Sequence, residues 1–267
     1  MHPPAPAFNG PLRLAQLSDL PRIGVVAAAG FYHSPWFAYE RPYSSQYPLD
    51  TLASYRKSFR SAILDPDSVV LVVEDTLSET EAASVYAALS GVYPSFEQQI
   101  PKHLLNQNKA VVAVASFALV PNSNRRGQFQ PHGDNAEAPD DAVSNRDRNN
   151  TAFTIIEEVL HPQEVETFNG RMVIDMMVTH PAYWRRGHAT LIIEWFIHLA
   201  RHDQIGLGVT GAPMGKALFS HLGFSEAKTV KIPGYDDHIG PLYAWLGLWD
   251  VKVEDSGPTT DKTSAEL

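Results

Sequence analysis

The chain has 267 residues, a formal net charge of -9 and an apolar content of 44%. This length and apolar content suit one domain with insertions, or two small domains. The negative charge argues against a nucleic-acid-binding protein, because affinity for nucleic acid depends on clustered Lys and Arg. The absence of cysteine excludes disulfides, thiolate metal sites and a Cys nucleophile. We therefore expect a small-molecule substrate or a cationic partner.

The N-terminus predicts a cytoplasmic protein. Residues Met1 to Pro4 show no basic segment followed by an apolar stretch, which a secretory signal requires. No uninterrupted apolar run reaches membrane-spanning length, so we predict no membrane partner.

The first predicted elements are a strand and a helix. Residues Leu12–Leu17 alternate with period two, which is typical of a strand. Ser18 to Pro21 then supplies capping side chains and an early proline, so a helix should follow through Ala29. An aromatic stretch begins at Phe31 and includes Trp36. These two side chains are candidates for a substrate-binding wall, with coverage of the core as the alternative.

The middle of the chain predicts a helix, two central strands and two insertions. After a helix around residues 52–64, residues 69–73 and 110–117 are short β-rich runs without polar alternation, as expected for strands covered on both faces. Between them, residues 77–108 are predicted as inserted helices. Residues 122–150 contain few large apolar side chains, which predicts a mobile insertion, and residues 254–267 are predicted as a disordered tail for the same reason.

The last third predicts the order strand, helix, strand, helix, strand. A strand at residues 171–178 leads through a turn into a helix at residues 189–202, which is apolar nearly all round and therefore buried. A strand at residues 206–210 and a short helix at residues 214–222 follow. The turn Gly223-Phe224 then enters a last strand.

The turn before the long helix has the features of an anion site. Gly187 permits close approach of the backbone to a phosphate, and the first amides of the helix have no helical acceptor. Arg185 and Arg186 add positive charge, and Ala189 keeps the next position small. The alternative is an ordinary connection with surface arginines.

Two segments carry a family resemblance. Residues 178–189 (VTHPAYWRRGHA) and 215–224 (GKALFSHLGF) closely resemble the acetyl-CoA motif and the later helix motif of the GCN5-related N-acetyltransferase (GNAT) superfamily. Within that superfamily the chain is most similar to a small-molecule acetyltransferase-like branch common in filamentous fungi. Together with the opening strand and helix, the resemblance covers most of the chain outside the insertions and the tail.

The resemblance implies a single domain over residues 1–253 with an α+β fold. Its mixed, mostly antiparallel sheet should be splayed between the fourth and fifth strands and flanked by helices. It also implies an acyl-CoA-dependent N-acetyltransferase that acts on a small-molecule amine by direct transfer in a ternary complex. Acetyl-CoA or another acyl-CoA would be the co-substrate, no metal would be needed, and the protein would be a monomer or homodimer.

Cofactor residues follow from the same resemblance by position. The backbone of the fourth strand would hold the pantetheine arm, and the turn with the helix start would bind the pyrophosphate. The residues so assigned are Met176, Met177, Val178, Arg185, Arg186, Gly187, His188, Ala189 and Thr190.

Two positions depart from the family pattern. Trp184 stands where the family has Gln or Arg, three residues before the glycine. Phe219 stands where the family often has a Tyr that protonates the departing thiolate, and a phenyl ring has no proton to donate. Thiolate is a fair leaving group near neutral pH, so release into water could replace the acid.

Transfer to an amine also requires a base, for which the sequence offers two candidates. Asp175 lies in the fourth-strand equivalent, where an acid is either hydrogen-bonded structure or a functional group with a raised pKa. His180 at the strand end is the second candidate, with capping of the turn as its alternative. In the final part of the chain Tyr235 is a candidate substrate contact.

A second reading of function stays open. The departures at Trp184 and Phe219 also suit a catalytically silent or repurposed GNAT-like protein. Such a protein would bind CoA or a biosynthetic ligand, or would catalyse a different reaction in a secondary-metabolite pathway.

Overall fold

The computed structural model describes residues 4–92, 107–131 and 144–251. We number the strands and helices of these residues in chain order. The strands are β1 (Leu12–Leu14), β2 (Ser68–Thr76), β3 (Lys109–Ala118), β4 (Met172–Thr179), β5 (Leu207–Gly211), β6 (Ser225–Ile232) and β7 (Leu242–Trp249). The α-helices are α1 (Leu20–Phe31), α2 (Pro35–Glu40), α3 (Pro48–Leu64), α4 (Ala87–Val92), α5 (Asn150–Thr167), α6 (His188–Asp203) and α7 (Pro213–His221).

The strands form one mixed sheet with the order β1-β2-β3-β4-β5-β7-β6. Neighbouring strands are antiparallel except β4 and β5, which run parallel. These two strands pair only from Met172↔Leu207 to Ile174↔Val209, although β4 continues to Thr179. The sheet is therefore open between its fourth and fifth strands beyond Ile174. This confirms the predicted α+β fold.

The core lies on both faces of the sheet, and β2 and β3 are buried along most of their length, as predicted for central strands. Helix α6 packs against one face of these strands, and α1 and α3 pack against the other. Helix α5 covers the half of the sheet formed by β6 and β7. Gly30 lets α1 approach β4 closely, because a Cβ there would lie 2.3 Å from Val178 Cγ2. This packing fixes the position of β4 relative to both layers of helices.

Two elements differ from the sequence-based prediction. The aromatic stretch contains a short helix, α2, because Ser34 Oγ accepts a hydrogen bond from Trp36 N (3.3 Å) and Pro35 suits the first helical position. The predicted last strand is a hairpin of two strands, β6 and β7. Most β6 side chains are exposed, so this edge strand lacks the apolar run that identifies a buried one.

The described ends of the segment predicted as mobile pack onto the rest of the protein. Asp147 is fully buried and pairs with Arg41, and Arg125 pairs with Asp203 at 2.6 Å. These ion pairs connect residues that have little apolar surface to the rest of the protein, and the mobility of residues 122–150 stays a prediction. The middle of that segment, the end of the first insertion and the predicted tail lie outside the described residues.

Helices appear in the described part of the first insertion, where α4 follows a short 3-10 helix at Ala82–Ser84. Across the three described ranges, no helix is both long and apolar enough to cross a bilayer.

Candidate functional site

The turn between β4 and α6, residues 180–187, presents free backbone amides. A 3-10 helix at Pro181–Tyr183 leads to Arg185 and Gly187, which have positive φ angles of 63° and 83°. Helix α6 then begins at His188 without a side-chain cap. The first amides of a helix have no acceptor within the helix, and the helix dipole adds positive potential there. The geometry is therefore that of an anion site.

Asp75, at the end of β2, orients two side chains of this turn. Its Oδ2 lies 3.0 Å from a guanidinium nitrogen of Arg186 and 3.0 Å from Nε2 of His188. Burial opposes ionisation of Asp75, but hydrogen bonds from Thr76 N, Arg186 and His188 outweigh it, so its pKa lies below the ordinary value. Asp75 thus remains charged and fixes one arginine of the turn, while the neighbouring Arg185 is exposed.

The space beside Gly187 is open. A Cβ built on this residue meets no heavy atom within 4 Å. Its φ of 83° is a conformation that glycine adopts without the steric cost of a side chain. The backbone therefore favours glycine here, and the free volume leaves room for an anion next to the amides.

One edge of β4 faces the gap left by β5. His180 N donates to Val112 O on β3 (2.9 Å), and backbone groups alternate in direction along a strand. The backbone groups of Val178 and Met176 therefore also point to β3, where strand pairing uses them. Those of Met177 and Thr179 point into the gap. The backbone contacts of Met176, Met177 and Val178 with the pantetheine arm stay a prediction. Of these three residues, only Met177 has backbone groups that point into the gap, as the backbone groups of Thr179 also do.

Trp184 closes part of this gap. Its Nε1 donates to Thr179 O (2.8 Å), and its ring meets that of His33 edge-on with centroids 4.9 Å apart. The residue that departs from the family pattern therefore occupies one backbone acceptor of β4. It also joins the turn to the loop between α1 and α2.

Asp175 stands at the apex of the gap. It follows Ile174, the last β4 residue paired with β5, and it is the extra residue of a β-bulge, because Ser116 pairs with Met176 and Phe117 pairs with Ile174. The residue as a whole is exposed, but the surrounding protein removes part of the water around its carboxylate. Ser116 Oγ donates a hydrogen bond to this carboxylate (3.3 Å). Loss of hydration raises its pKa, and the hydrogen bond from Ser116 only partly opposes this.

A cavity of about 370 Å³ adjoins Asp175 on the α5 side of the sheet. Glu164 of α5 and Thr210 of β5 line it, and Thr210 Oγ1 donates to Glu164 Oε1 (2.5 Å). Burial raises the pKa of Glu164, Asp175 raises it further, and the hydrogen bond from Thr210 opposes both. The cavity therefore carries two carboxyl groups that both favour protonation more than usual.

Glu164 was missed by the sequence-based analysis. The available signal is its spacing of four and eight residues from Leu160 and Ile156, the buried side chains of α5, because residues four apart share a helix face. A carboxylate in line with buried side chains needs a partner. Thr210 is that partner, and no local pattern identifies it.

His180 does not reach the gap. It is fully buried, its Nδ1 accepts a hydrogen bond from Ala182 N (3.3 Å), and Nε2 lies 4.0 Å from Glu81 Oε1. Burial and the nearby Arg22 lower its pKa to about 3, although Glu81 opposes them. A buried imidazole of this kind cannot take a proton from a substrate at neutral pH. These contacts do not support His180 as a base, and the hydrogen bond from Ala182 N agrees with its alternative role as a cap of the turn.

Phe219 is buried and packs against Phe224 and Trp245, with centroids 5.2 and 6.3 Å away. Its ring belongs to the core and not to the gap. Its neighbours Ser220 and His221 are exposed. The described part of α7 thus offers no tyrosine hydroxyl to a leaving thiolate.

The three predicted substrate contacts lie outside the cavity lining. Phe31 stacks on Tyr55 (5.4 Å between centroids), and Tyr235 meets Tyr39 edge-on (4.9 Å). Trp36 packs against the cluster of apolar side chains beneath α5. All three are partly buried. In this structure they contribute to packing around α2 and α3.

Within the described ranges, no group of three or more His, Asp or Glu side chains is placed to hold a metal ion. The predicted absence of a metal remains a prediction.

Comparison with known proteins gives one sequence relative and several structural ones. No family profile matches the chain. A protein named "Acetyltransferase" from Stachybotrys chartarum (strain CBS 109288 / IBT 7711) is 30% identical over 240 residues, which cover 89% of this chain and 90% of that protein.

Two solved structures share the fold. The putative arylalkylamine N-acetyltransferase 7 of Aedes aegypti has a TM-score of 0.51 at 14% identity, covering 90% of this chain and 87% of its own. The C-terminal condensation domain of Ebony, solved in complex with beta-alanyl-dopamine, also has a TM-score of 0.51, at 11% identity, covering 90% and 98%. Relative, fold and turn agree: the chain belongs to the GCN5-related N-acetyltransferase superfamily and is an acyltransferase.

Proposed function

We propose that this protein transfers an acetyl group from acetyl-CoA directly to the amine of a small-molecule acceptor, with both substrates bound at once. The observation that carries the proposal is the position of Asp175 at the apex of the gap between β4 and β5. From this apex the gap extends along β4 toward the turn at the start of α6, and Asp175 and Thr210 at the apex also line the cavity on the α5 side of the sheet.

The turn and β4 suit the two ends of acetyl-CoA. The amides of residues 186–190 offer hydrogen bonds to the pyrophosphate, with Arg185 and Arg186 adding positive charge. The outward backbone groups of Met177 offer an amide and a carbonyl to the pantetheine arm. The side chains of His188, Ala189 and Thr190 are half-buried, so they leave the helix start accessible.

Acetyl-CoA supplies a thioester carbonyl activated for attack and a thiolate leaving group. Asp175 takes one proton from the acceptor ammonium, directly or through water, and the nitrogen lone pair becomes free to attack. Attack forms the C–N bond of a tetrahedral intermediate, and the nitrogen then loses its second proton to water. The C–S bond breaks as this intermediate collapses to the amide, and the departing sulfur takes a proton from water. Because the chain contains no cysteine, a covalent thioester on the protein is excluded, which leaves direct transfer or passage through a serine ester. We propose the direct route.

The experiment is a thiol-release assay with acetyl-CoA and a panel of primary alkyl and arylalkyl amines. We expect CoA release that depends on the amine, together with an acetylated amine identified by mass spectrometry. Propionyl-CoA in the same assay examines the choice of acyl group. Release of CoA without acetylated amine across the whole panel would contradict the proposal.

A second candidate function rests on two observations. Phe219 is packed into the core, and Trp184 occupies the carbonyl of Thr179. Both suit a protein that binds an acyl-CoA without transferring its acyl group. Calorimetric binding of acetyl-CoA combined with no turnover of any amine would favour this binder over the transferase.

A further inference from the structure

Helix α5 carries a carboxylate on its packed face. The helix begins after Asn149, whose side chain accepts from Ala152 N (3.2 Å), and Ala152, Ile156 and Leu160 are its buried residues. Glu164 continues this line at the next position four residues on. An apolar side chain would be the simplest choice there, because a buried carboxylate is destabilising unless it is hydrogen-bonded. Thr210 provides that hydrogen bond through one oxygen, Oε1.

The other oxygen of Glu164 remains available to the cavity. Among the described residues, Oε2 accepts no hydrogen bond, while the side chain lines the cavity together with Asp175. Thr210 is the residue that follows Val209, the last β5 residue paired with β4, and Asp175 follows Ile174 in the same way. The two carboxyl groups are therefore held at the apex of the gap, one from each side.

The charges around the cavity favour a cation. Arg171 lines it but pairs with Asp250 (2.7 Å), so its charge is balanced. His161 also lines it and lowers the pKa of Glu164, whereas the charges of Asp175 and Glu157 raise this pKa. The rest of the lining includes apolar side chains that suit the carbon body of a small ligand: Leu119, Val165, Phe168, Val173 and Ile174.

We propose that Glu164 is a positioning residue that holds the ammonium form of the acceptor beside Asp175. The acceptor class is then a primary alkyl or arylalkyl amine that is protonated at neutral pH, and not an alcohol or a weakly basic aromatic amine. This inference rests on the proposed function. Glu164 keeps its charge throughout, while Asp175 takes the proton that the nitrogen loses.

The raised pKa values of the two carboxyl groups agree with this geometry. Burial raises both, and the charge of Asp175 also raises that of Glu164. A bound ammonium stabilises both carboxylates at once, because an opposite charge favours the ionised form. Binding of a cation therefore offsets the repulsion between the carboxylates of Glu164 and Asp175.

The test uses Glu164→Gln, which removes the charge and retains a hydrogen-bonding group for Thr210. With the best amine of the panel, we expect KM for the amine to rise about 10- to 100-fold, as for loss of a charged hydrogen bond. KM for acetyl-CoA should stay unchanged. The inhibition constant of the matching alcohol, which has OH in place of the ammonium, should also stay unchanged, because a neutral ligand does not use the charge.

Glu158→Gln is the matched control, because Glu158 is an exposed carboxylate on the same helix and should leave all constants unchanged. If Glu164→Gln does not fold, Thr210→Val and Thr210→Ser provide a second test. Valine removes the hydrogen bond that holds Glu164 and should raise KM for the amine. Serine keeps the hydroxyl and should restore the original value.

The possible results distinguish failure of the role proposed for Glu164 from failure of the proposed function. Turnover of amines with the same amine KM in Glu164→Gln overturns the role of Glu164 and leaves the proposed function intact. An equal loss for amine and alcohol also overturns it, since that result indicates altered packing. If no amine is turned over, the proposed function fails. Calorimetry with hexylamine and benzylamine then decides the inference: weaker binding to Glu164→Gln supports it, and equal or absent binding overturns it.

Discussion

Asp175 on β4 and Thr210 on β5 are the first residues beyond the last pair that joins these two parallel strands. The bulge at Asp175 changes which backbone groups of β4 face β5, and the strands part at the same point. The bulge thus coincides with the point where β4 and β5 separate, and it places the carboxylate of Asp175 there.

Asp175→Asn should lower kcat by about 100-fold or more, because removal of a general base typically costs 10²- to 10⁴-fold. Asparagine keeps the size of the side chain and can still accept a hydrogen bond from Ser116. Affinity for acetyl-CoA, measured by calorimetry, should not change. Glu194→Gln, at an exposed carboxylate of α6, is the control. A kcat within twofold of the original would make Asp175 a structural residue.

The pH profile of kcat/KM should have an acidic limb above the ordinary range of a carboxyl group. Burial raises the pKa of Asp175, and the base acts only when ionised, so activity is lost as pH falls through this raised value. Ser116→Ala removes the hydrogen bond that lowers this pKa, and the limb should therefore shift further upward. If the acidic limb does not move in Ser116→Ala, a group other than Asp175 causes the loss of activity at low pH.

Gly187→Glu should weaken binding of acetyl-CoA by at least about tenfold. The substitution places a side chain in the open space beside the amides, adds a negative charge and forces a non-glycine residue into a positive φ, which costs about 1 to 2 kcal/mol. Gly10→Glu is the matched control, because Gly10 also has a positive φ (60°) and open space around it. If calorimetry gives the same affinity for acetyl-CoA in Gly187→Glu and Gly10→Glu, the pyrophosphate does not bind at the turn that contains Gly187.

His180 should make the protein sensitive to acid. Its pKa in the folded protein is about 3, against an ordinary value of 6.5, so between these pH values only the unfolded chain binds the proton. The free energy of unfolding therefore falls as pH decreases from 6.5, by up to about 1.4 kcal/mol per pH unit.

His180→Asn can still cap Ala182 N and should reduce this slope. The measurement is denaturant unfolding between pH 6.5 and 4.5, a window above the ordinary pKa of Glu81. His202→Asn, at an exposed histidine of α6, should keep the slope of the original protein. An unchanged slope in His180→Asn would show that another group binds the proton.

The sequence predicted the central strands and the turn at residues 180–187 because their signals are contiguous. An apolar run without alternation, a glycine at a bend and a buried helix are properties of neighbouring residues. The edge strand β6 and the ion-paired ends of the second insertion were not predicted, because their order depends on distant partners. Asp147, for example, is held by Arg41, 106 residues away.

The roles of individual side chains likewise depend on distant residues that the local sequence does not reveal. The sequence offered Asp175 within the fourth strand and His180 at its end as candidate bases. Their surroundings differ: Asp175 lies at the apex of the gap, whereas His180 is enclosed beside Arg22 and Glu81. Sequence periodicity indicates which face of a strand or helix a side chain lies on. It does not indicate which other parts of the protein cover that face.

The sequence by itself thus determined the superfamily resemblance, the position of a glycine-containing turn with the features of an anion site, and the absence of a cysteine nucleophile. Only the tertiary structure decided that Asp175 lies at the apex of the gap and that Glu164 lines the cavity beside it. Thr210 is 46 residues from Glu164, and Asp75 is 111 residues from Arg186. Such contacts form when the sheet brings distant strands and helices together, so the pairings that tune charge in this site are encoded in packing and not in any local run of residues.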